Sequence, residues 1–465
     1  MQSAPPIDAA VRRATIVVIW LSSVATAMML SAVNVALPDI AHDLGVDAVT
    51  LSWIPMAYLM ASAVCVLAFG RLADMHGRKR VFLLGTAGVI VASLVAAAAG
   101  NVATLLGGRL LQGVCAAMLF ATQIAIISSV YPPARRGAAI GYAVSAIYLG
   151  LALGPVIGGW LVGIWSWRAT FVLHLPLSLA VLYIGLRHLP IEWRSDERGA
   201  FDLPGTALYA VAIVVLMMGL THLPGWPGVL MLALGAAGLW LFFRHAHGHP
   251  HPIFDVELFY TNRVFTLSCV ASLVMYTSTF ANVVLVSLYL QYLKGVTPAM
   301  AGLVMMSQPL VMTALSPLAG RLSDRVEPRV LASLGMALTA LALAGLAVLD
   351  AASPLAATVA CLLLTGLGFS LFSSPNANAI MSAVARGAYS QASSAMSVMR
   401  VLGQLTSMGV VAMVFALVLG PVRIAPAVYA ELGQAISTCF ALGALACGVG
   451  VFLSLARGEV HGQAA

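Results

Sequence analysis

The sequence is short of charge. Only 8% of its 465 residues are Asp, Glu, Lys or Arg, where an ordinary soluble domain carries about 25%. A chain this long needs a broad polar shell to stay in water, and these residues cannot supply one. A cytosolic enzyme, a nucleic-acid binder and a disordered chain are excluded together. Lysine is nearly missing. Lys79 and Lys294 follow Arg78 and Leu293, so no G-x-x-x-x-G-K-[ST] loop exists to cradle phosphate, and ATP is not a direct energy source. The six cysteines stand singly in apolar stretches without a CxxC pair, which leaves neither a disulfide framework nor a thiolate metal site. All sixteen acidic residues fall in loops, at termini or at the ends of apolar runs. No cluster of intramembrane acids or nucleophile–base pair is visible, so no enzyme, cofactor or metal centre is expected.

What the chain has is apolar length. Hydrophobic residues make up 61% and mean hydropathy is +0.99. A hydrocarbon core about 30 Å thick takes roughly 20 apolar residues per helix. Fourteen such segments run near 14–38, 51–69, 81–99, 103–130, 136–164, 168–188, 204–221, 226–243, 264–292, 298–319, 329–349, 354–378, 389–418 and 431–456. The first is too long for the apolar core of a signal peptide and reads as a retained helix. With the N-terminus inside, eighteen Lys and Arg fall in inner loops and ends, Arg457 among them, against Arg168, Lys294 and Arg423 outside. Cationic loops stay cytoplasmic, so both termini are expected there. The first outer loop, carrying Asp39, Asp43 and Asp47, agrees. In the inner loop 244–262, His245, His247, His249 and His251 alternate; they could bind a transition metal, but the plainer reading is a solvated connector.

A repeat divides the chain. Gly70-Arg71-Leu72-Ala73-Asp74 follows the second segment and Gly320-Arg321-Leu322-Ser323-Asp324 the tenth. The expected architecture is all-α: fourteen transmembrane helices in two six-helix pseudo-symmetric halves, 1–190 and 263–465, with two inserted helices over 191–262. Glycine in the repeat permits close helix approach, and the aspartates at 74 and 324 can cap a helix or pair with a basic neighbour. Such a clamp, with Gly77 and Arg78 beside it, would hold the halves together on the inner side.

Several motifs together resemble the major facilitator superfamily, and within it the fourteen-helix drug:proton antiporter family. They are Gly70 to Arg80, Arg109-Leu110-Leu111-Gln112-Gly113 in segment 4, and Gly150-Leu151-Ala152-Leu153-Gly154-Pro155-Val156-Ile157-Gly158-Gly159 in segment 5. Asn34 to Pro38, Ser166-Trp167-Arg168, Pro375-Asn376 and Arg400 with Gly403-Gln404 extend the resemblance over nearly the whole chain. It implies a multi-pass transporter of the plasma or inner membrane, monomeric in the lipid bilayer, that exports small amphipathic or hydrophobic compounds, as multidrug efflux proteins do, by alternating access in exchange for protons. The chain departs from the family at Met29, where many members carry an aspartate, and at His174, where Asn is more usual.

The intramembrane charges are Arg109 and Arg400. A charge at a helix centre costs about 2.5–3.5 kcal/mol on insertion scales, so each should face a partner or a cavity. An anionic substrate group is one partner, which keeps open a reading as exporter of a specific anionic or lipid-like metabolite. Arginine stays protonated and cannot titrate, which leaves His174 as the proton-carrying candidate and His222 as a weaker one. Asn34, Gln123, Tyr148, Tyr276, Gln308, Asn376 and Gln404 stand at plausible depth to line a substrate path. Gly150, Gly154, Gly158 and Gly159 around Pro155 predict a tightly packed, bent seam between the halves. A non-transporting scaffold would need neither the repeat nor this seam.

Overall fold

In a computed structural model the described residues are 9–131, 133–189, 192, 201–223, 225–249, 253, 256–323, 326–384, 389–420 and 422–458. Among them fourteen helices are long and apolar enough to cross a membrane. These are α1 (Val11–Leu44), α2 (Ala48–His76), α3 (Arg78–Ala97), α4 (Val102–Ile127), α5 (Ala143–Ile164), α6 (Ala169–His188), α7 (Leu203–Leu220), α8 (Trp226–Gly248), α9 (Arg263–Leu293), α10 (Pro298–Leu322), α11 (Pro328–Ala347), α12 (Leu355–Ser382), α13 (Ala395–Val418) and α14 (Pro426–Ala456). Each matches one predicted segment. In lipid a backbone N–H or C=O has no water to bond, so apolar runs of this length have little choice but helix.

The starts follow capping chemistry. Asp47, Asn101, Asp202 and Asn262 accept backbone N–H bonds at the heads of α2, α4, α7 and α9, and Thr297 does so with its hydroxyl for α10. Three spans are broken. α6 pauses at Leu173–His174 ahead of Pro176, α9 breaks at residues 280–281 and closes in a π-turn at Tyr289–Leu293, and α10 is interrupted at Met306.

Packing repeats across the chain. α1 lies on α5 and α6, α2 on α4, and α3 on α4 and α6; correspondingly α9 lies on α13 and α14, α10 on α12, and α11 on α12 and α14. Two six-helix halves result. The inserted pair α7–α8 packs on itself, and α7 touches α2 of one half and α13 of the other. The halves meet where α1 faces α9, α5 faces α10 and α2 faces α13. With an even number of spans both termini lie at one end of the bundle, here called the near end. Exposed Trp165 and Trp226 stand at helix ends, as aromatic side chains do at a membrane–water boundary.

Three expectations change. α1 runs to Leu44 and takes in Asp39 and Asp43, so the far-end connection to α2 is only residues 45–47. The helix of α8 runs to Gly248, so His245 and His247 are helical rather than part of a loop. Arg457, read as a loop cation, is 1% exposed. It follows directly on α14, folded back into the protein.

Candidate functional site

The two intramembrane arginines have different surroundings. Arg109 is wholly buried. Its Nε donates to Ile54 O at 3.0 Å, its Nη1 to Gln112 Oε1 at 2.8 Å, and its guanidinium lies 4.7 Å from the centre of the Tyr58 ring. Gln112 Nε2 donates to Ser93 Oγ at 2.7 Å, and Ser93 Oγ lies 3.1 Å from His174 Nε2. One polar chain thus joins α2, α4, α3 and α6 inside the first half. Gly113 makes it possible. A methyl there would stand 2.3 Å from Tyr58 O, so only glycine lets α4 come close enough for Arg109 to reach the α2 backbone. The far side of the imidazole, Nδ1, has no partner among the described residues, and His174 lines a cavity of about 10 Å³ with Ser22, Thr26, Thr86 and Ser178. That volume suits roughly one water.

Arg400 is half-buried on α13, near mid-depth. Its guanidinium lies 5.8 Å from the centre of the Phe120 ring on α4. α4 and α13 belong to opposite halves, so the charge stands between the halves and not in lipid. Tyr58, Tyr148 and Tyr276 are all close enough to feel it electrostatically. Among the described residues it has no ion-pair partner. Tyr148 reaches across the divide to Ser373 Oγ at 3.1 Å, and Tyr276 stacks edge-on against Phe369 with centroids 5.4 Å apart. A mid-depth cluster of one cation and several aromatic rings results, with contributions from both halves.

The other predicted lining residues separate. Gln308 and Gln404 are half-buried at similar depth on α10 and α13. Gln123 is tied to Ser22 Oγ at 3.0 Å within the first half. Asn376 is wholly committed: its Oδ1 accepts from Arg457 Nη1 at 2.6 Å, and its Nδ2 donates to Ser268 O at 3.0 Å and Ser272 Oγ at 2.8 Å. Sequence reasoning missed Arg457. Burial lowers its pKa to about 10, leaving it a cation at neutral pH, and it braces α9, α12 and α14 much as Arg109 braces the first half. The (i, i+3) pair Arg109–Gln112 on an otherwise apolar helix was a readable signal for one brace; a cation at a helix end, counted as a loop charge, gave none for the other.

At the far end the halves are bonded. Ser287 Oγ donates to Asn34 O at 2.7 Å, Gln291 Nε2 to Val35 O at 2.9 Å, Tyr292 OH to Pro38 O at 3.5 Å and Ala48 N to Val422 O at 3.0 Å. The short connection of the first half is held from within: Asp43 Oδ2 accepts from Trp167 Nε1 at 2.8 Å and from Arg168 Nη1 at 2.9 Å.

The helix 5 motif has two faces. Methyls at Gly150, Gly154 and Gly158 would stand within 2.5 Å of Val24 O, 2.0 Å of Ser31 Oγ and 3.0 Å of Ala32 Cβ, all on α1 of the same half. Gly159 looks the other way. A methyl there would stand 2.3 Å from Pro298 O, and one at Gly302 would stand 2.1 Å from Pro155 O, both across the divide to α10. The predicted seam is therefore two seams, one within a half and one between halves.

The near-end repeat is engaged within its own half. Asp74 Oδ1 accepts from Arg78 Nε at 2.9 Å, and Arg78 Nη1 donates to Ser129 Oγ at 2.7 Å on the α4 helix. Gly77 turns the chain at φ +115°, and Glu192 accepts from Lys79 N at 2.9 Å at the head of α3. Among the described residues nothing stands within 4 Å of where a methyl on Gly70 would go, and at Gly320 the nearest atom is Ser374 Cβ at an ordinary 3.6 Å. Asp324 lies outside the described residues.

Two pseudo-symmetric halves, an interhelical glycine seam and a mid-depth site form the setting for the comparisons with known proteins. The Major Facilitator Superfamily model matches residues 19–408 and 267–461. The chain belongs to the Major Facilitator Superfamily. It is 31% identical over 357 residues to the riboflavin transporter RibZ of Clostridioides difficile (strain 630), covering 76% of this chain and 77% of that one. It is 31% identical over 391 residues to the multidrug resistance protein Stp of Mycobacterium tuberculosis (strain CDC 1551 / Oshkosh), covering 83% and 72%. A solved POT family transporter in complex with a thioalcohol-conjugated peptide has the same fold, with a TM-score of 0.72 over 94% of this chain and 96% of that one at 14% identity. The protein is a transporter in a membrane, not an enzyme.

Proposed function

We propose that this superfamily member is a secondary active exporter of small amphipathic compounds that carry an anionic or extended aromatic group, working by alternating access with protons as the coupling ion. The observation that carries the reading is Arg400. A guanidinium held between the halves, without an ion-pair partner among the described residues and beside the ring of Phe120, suits a ligand with its own negative charge or π-face. The relatives fit this chemistry in kind: one is a riboflavin transporter and one a multidrug resistance protein. The cationic-drug chemistry of the helix 1 aspartate has no counterpart, because Met29 stands there, 1% exposed.

In this reading Arg400, Tyr148 and Tyr276 contact substrate, with Gln308 and Gln404 nearby. Arg109, Gln123 and Asn376 hold the helices in place. His174 carries the proton: its protonation would put a second positive charge on the chain that ends at Arg109 and so bias the first half. The far-end bonds support a conformation closed to the outside and open inward, and the Asp74–Arg78 pair, kept within its half, fits a released inner clamp. We place the termini in the cytoplasm, the protein in the cell membrane as a monomer, and the half boundaries at residues 190 and 263.

The test uses proteoliposomes with a trapped pH dye, challenged with matched aromatic amphiphiles bearing a carboxylate, no charge or an amine. Proton movement evoked by the carboxylate or neutral compound in wild type is expected, with Arg400→Ala losing the carboxylate response and His174→Ala uncoupling substrate from proton. A response confined to the amine, unchanged in Arg400→Ala, would remove the anionic reading. Substrate movement without proton movement would remove the coupling.

A further inference from the structure

The histidines of the second inserted helix converge on a buried carboxylate. Asp202, in the connection ahead of α7, caps that helix through Gly205 N–H at 2.9 Å and is 2% exposed. The same Oδ1 lies 2.9 Å from His245 Nε2 on the last turns of α8. One turn on, the His249 ring stacks on His245 with centroids 5.2 Å apart. A ligand atom from each of Asp202, His245 and His249 falls within 4.8 Å of the others. Among the described residues Asp202 Oδ2, also buried, has no hydrogen-bond partner.

We propose that Asp202, His245 and His249 form a site for a divalent transition metal, Zn²⁺ by ligand type, that staples α7 to α8 at the near end. Two imidazoles and a carboxylate are a ligand set zinc accepts, with a water as the fourth ligand. His249 caps the end of α8, one turn beyond His245, and its ring turns back over the His245 ring, so the pair reaches one ion without unwinding the helix. It is this spacing, and not the alternation across residues 245–251, that makes the site. Tetrahedral zinc ligands stand about 3.3 Å apart, so the three groups need only a small contraction at a helix end. The unpartnered Oδ2 gives the carboxylate a free oxygen for the ion while Oδ1 keeps the cap. The staple acts on the insertion that touches both halves through α7.

The test uses the full chain, purified in detergent without a polyhistidine tag and freed of metal. Zn²⁺ is titrated calorimetrically, and Co²⁺ is read by its visible absorption as a tetrahedral probe. One Zn²⁺ per chain is expected, with a rise in Tm. His249→Ala, just past the end of α8, should weaken binding about tenfold or more. Asp202→Asn should do the same while preserving the cap, since Asn caps as well as Asp. His247→Ala should bind as wild type. Failure to take up Zn²⁺, binding that survives His249→Ala and Asp202→Asn, or binding lost in His247→Ala would each overturn the assignment.

Discussion

Arg109 and Arg400 look alike in the sequence, as lone cations in apolar helices, and the structure gives them opposite surroundings. Arg109 is wholly buried and bonded to Ile54 O and Gln112. Arg400 is half-buried, lies over the Phe120 ring and has no ion-pair partner among the described residues. Truncating Arg109 leaves two buried acceptors unsatisfied, each at a cost of about 1–3 kcal/mol. Arg109→Ala should therefore lower Tm in detergent by many degrees and reduce the amount of folded protein, while Arg400→Ala should leave Tm within a degree or two and abolish transport of carboxylate-bearing substrates. Thermal unfolding beside vesicle flux separates the two; an unstable Arg400→Ala would show that it too is a brace. Arg457 makes the same point from the other direction. Its partner Asn376 sits 81 residues away in the chain, and no local pattern announces such a contact. Charge count and hydropathy told where cations lie along the chain; which of them are braced depends on tertiary neighbours.

At the scale of helices the sequence was most legible, because lipid removes the alternatives. All fourteen spans were readable, and their caps at Asp47, Asn101 and Asn262 were residues of the ordinary capping type. The break in α9 was not readable, since no proline or glycine marks residues 280–281, whereas the break in α10 was marked by Pro309, which has no N–H to bond Met305 O one turn back. The glycines of α5 were visible, but not that they serve two faces. That division yields a prediction. Gly154→Val would drive a side chain onto Ser31 Oγ and Ala32 N within the first half, and should destabilise the protein in every conformation, seen as a lower Tm. Gly159→Val would instead strike Pro298 O in the other half. It should leave the first half intact and pry the far end apart, so that a thiol probe on a Ser287→Cys background reacts faster. Equal loss of Tm in both variants, with no change in reactivity, would mean that both glycines serve packing alone.

For the whole molecule, the repeated G-R-L-x-D segments pose a problem of state. Among the described residues nothing crowds Gly70, and Asp74 pairs with Arg78 of its own half, so none of the described residues of the other half is clamped by the first copy in this conformation. Meanwhile four bonds close the far end. A rigid-body exchange that opens the far end must bring the near ends of the halves together, and there the small residue at 70 becomes necessary. Gly70→Leu should thus be harmless here and obstructive there. Its expected signature is unchanged Tm, retained substrate binding from the near side, and transport reduced by an order of magnitude or more. Asp74→Asn should act on the same step by weakening the clamp without filling space, so its defect should be milder. The two can be told apart by distance measurements between spin labels at the far end. Gly70→Leu should hold the population in the short-distance, closed form even when a proton gradient is imposed, and Asp74→Asn should shift it only partly. If Gly70→Leu instead opens the far end freely, the near-end segments do not meet in the exchange, and the repeat is a topological anchor alone.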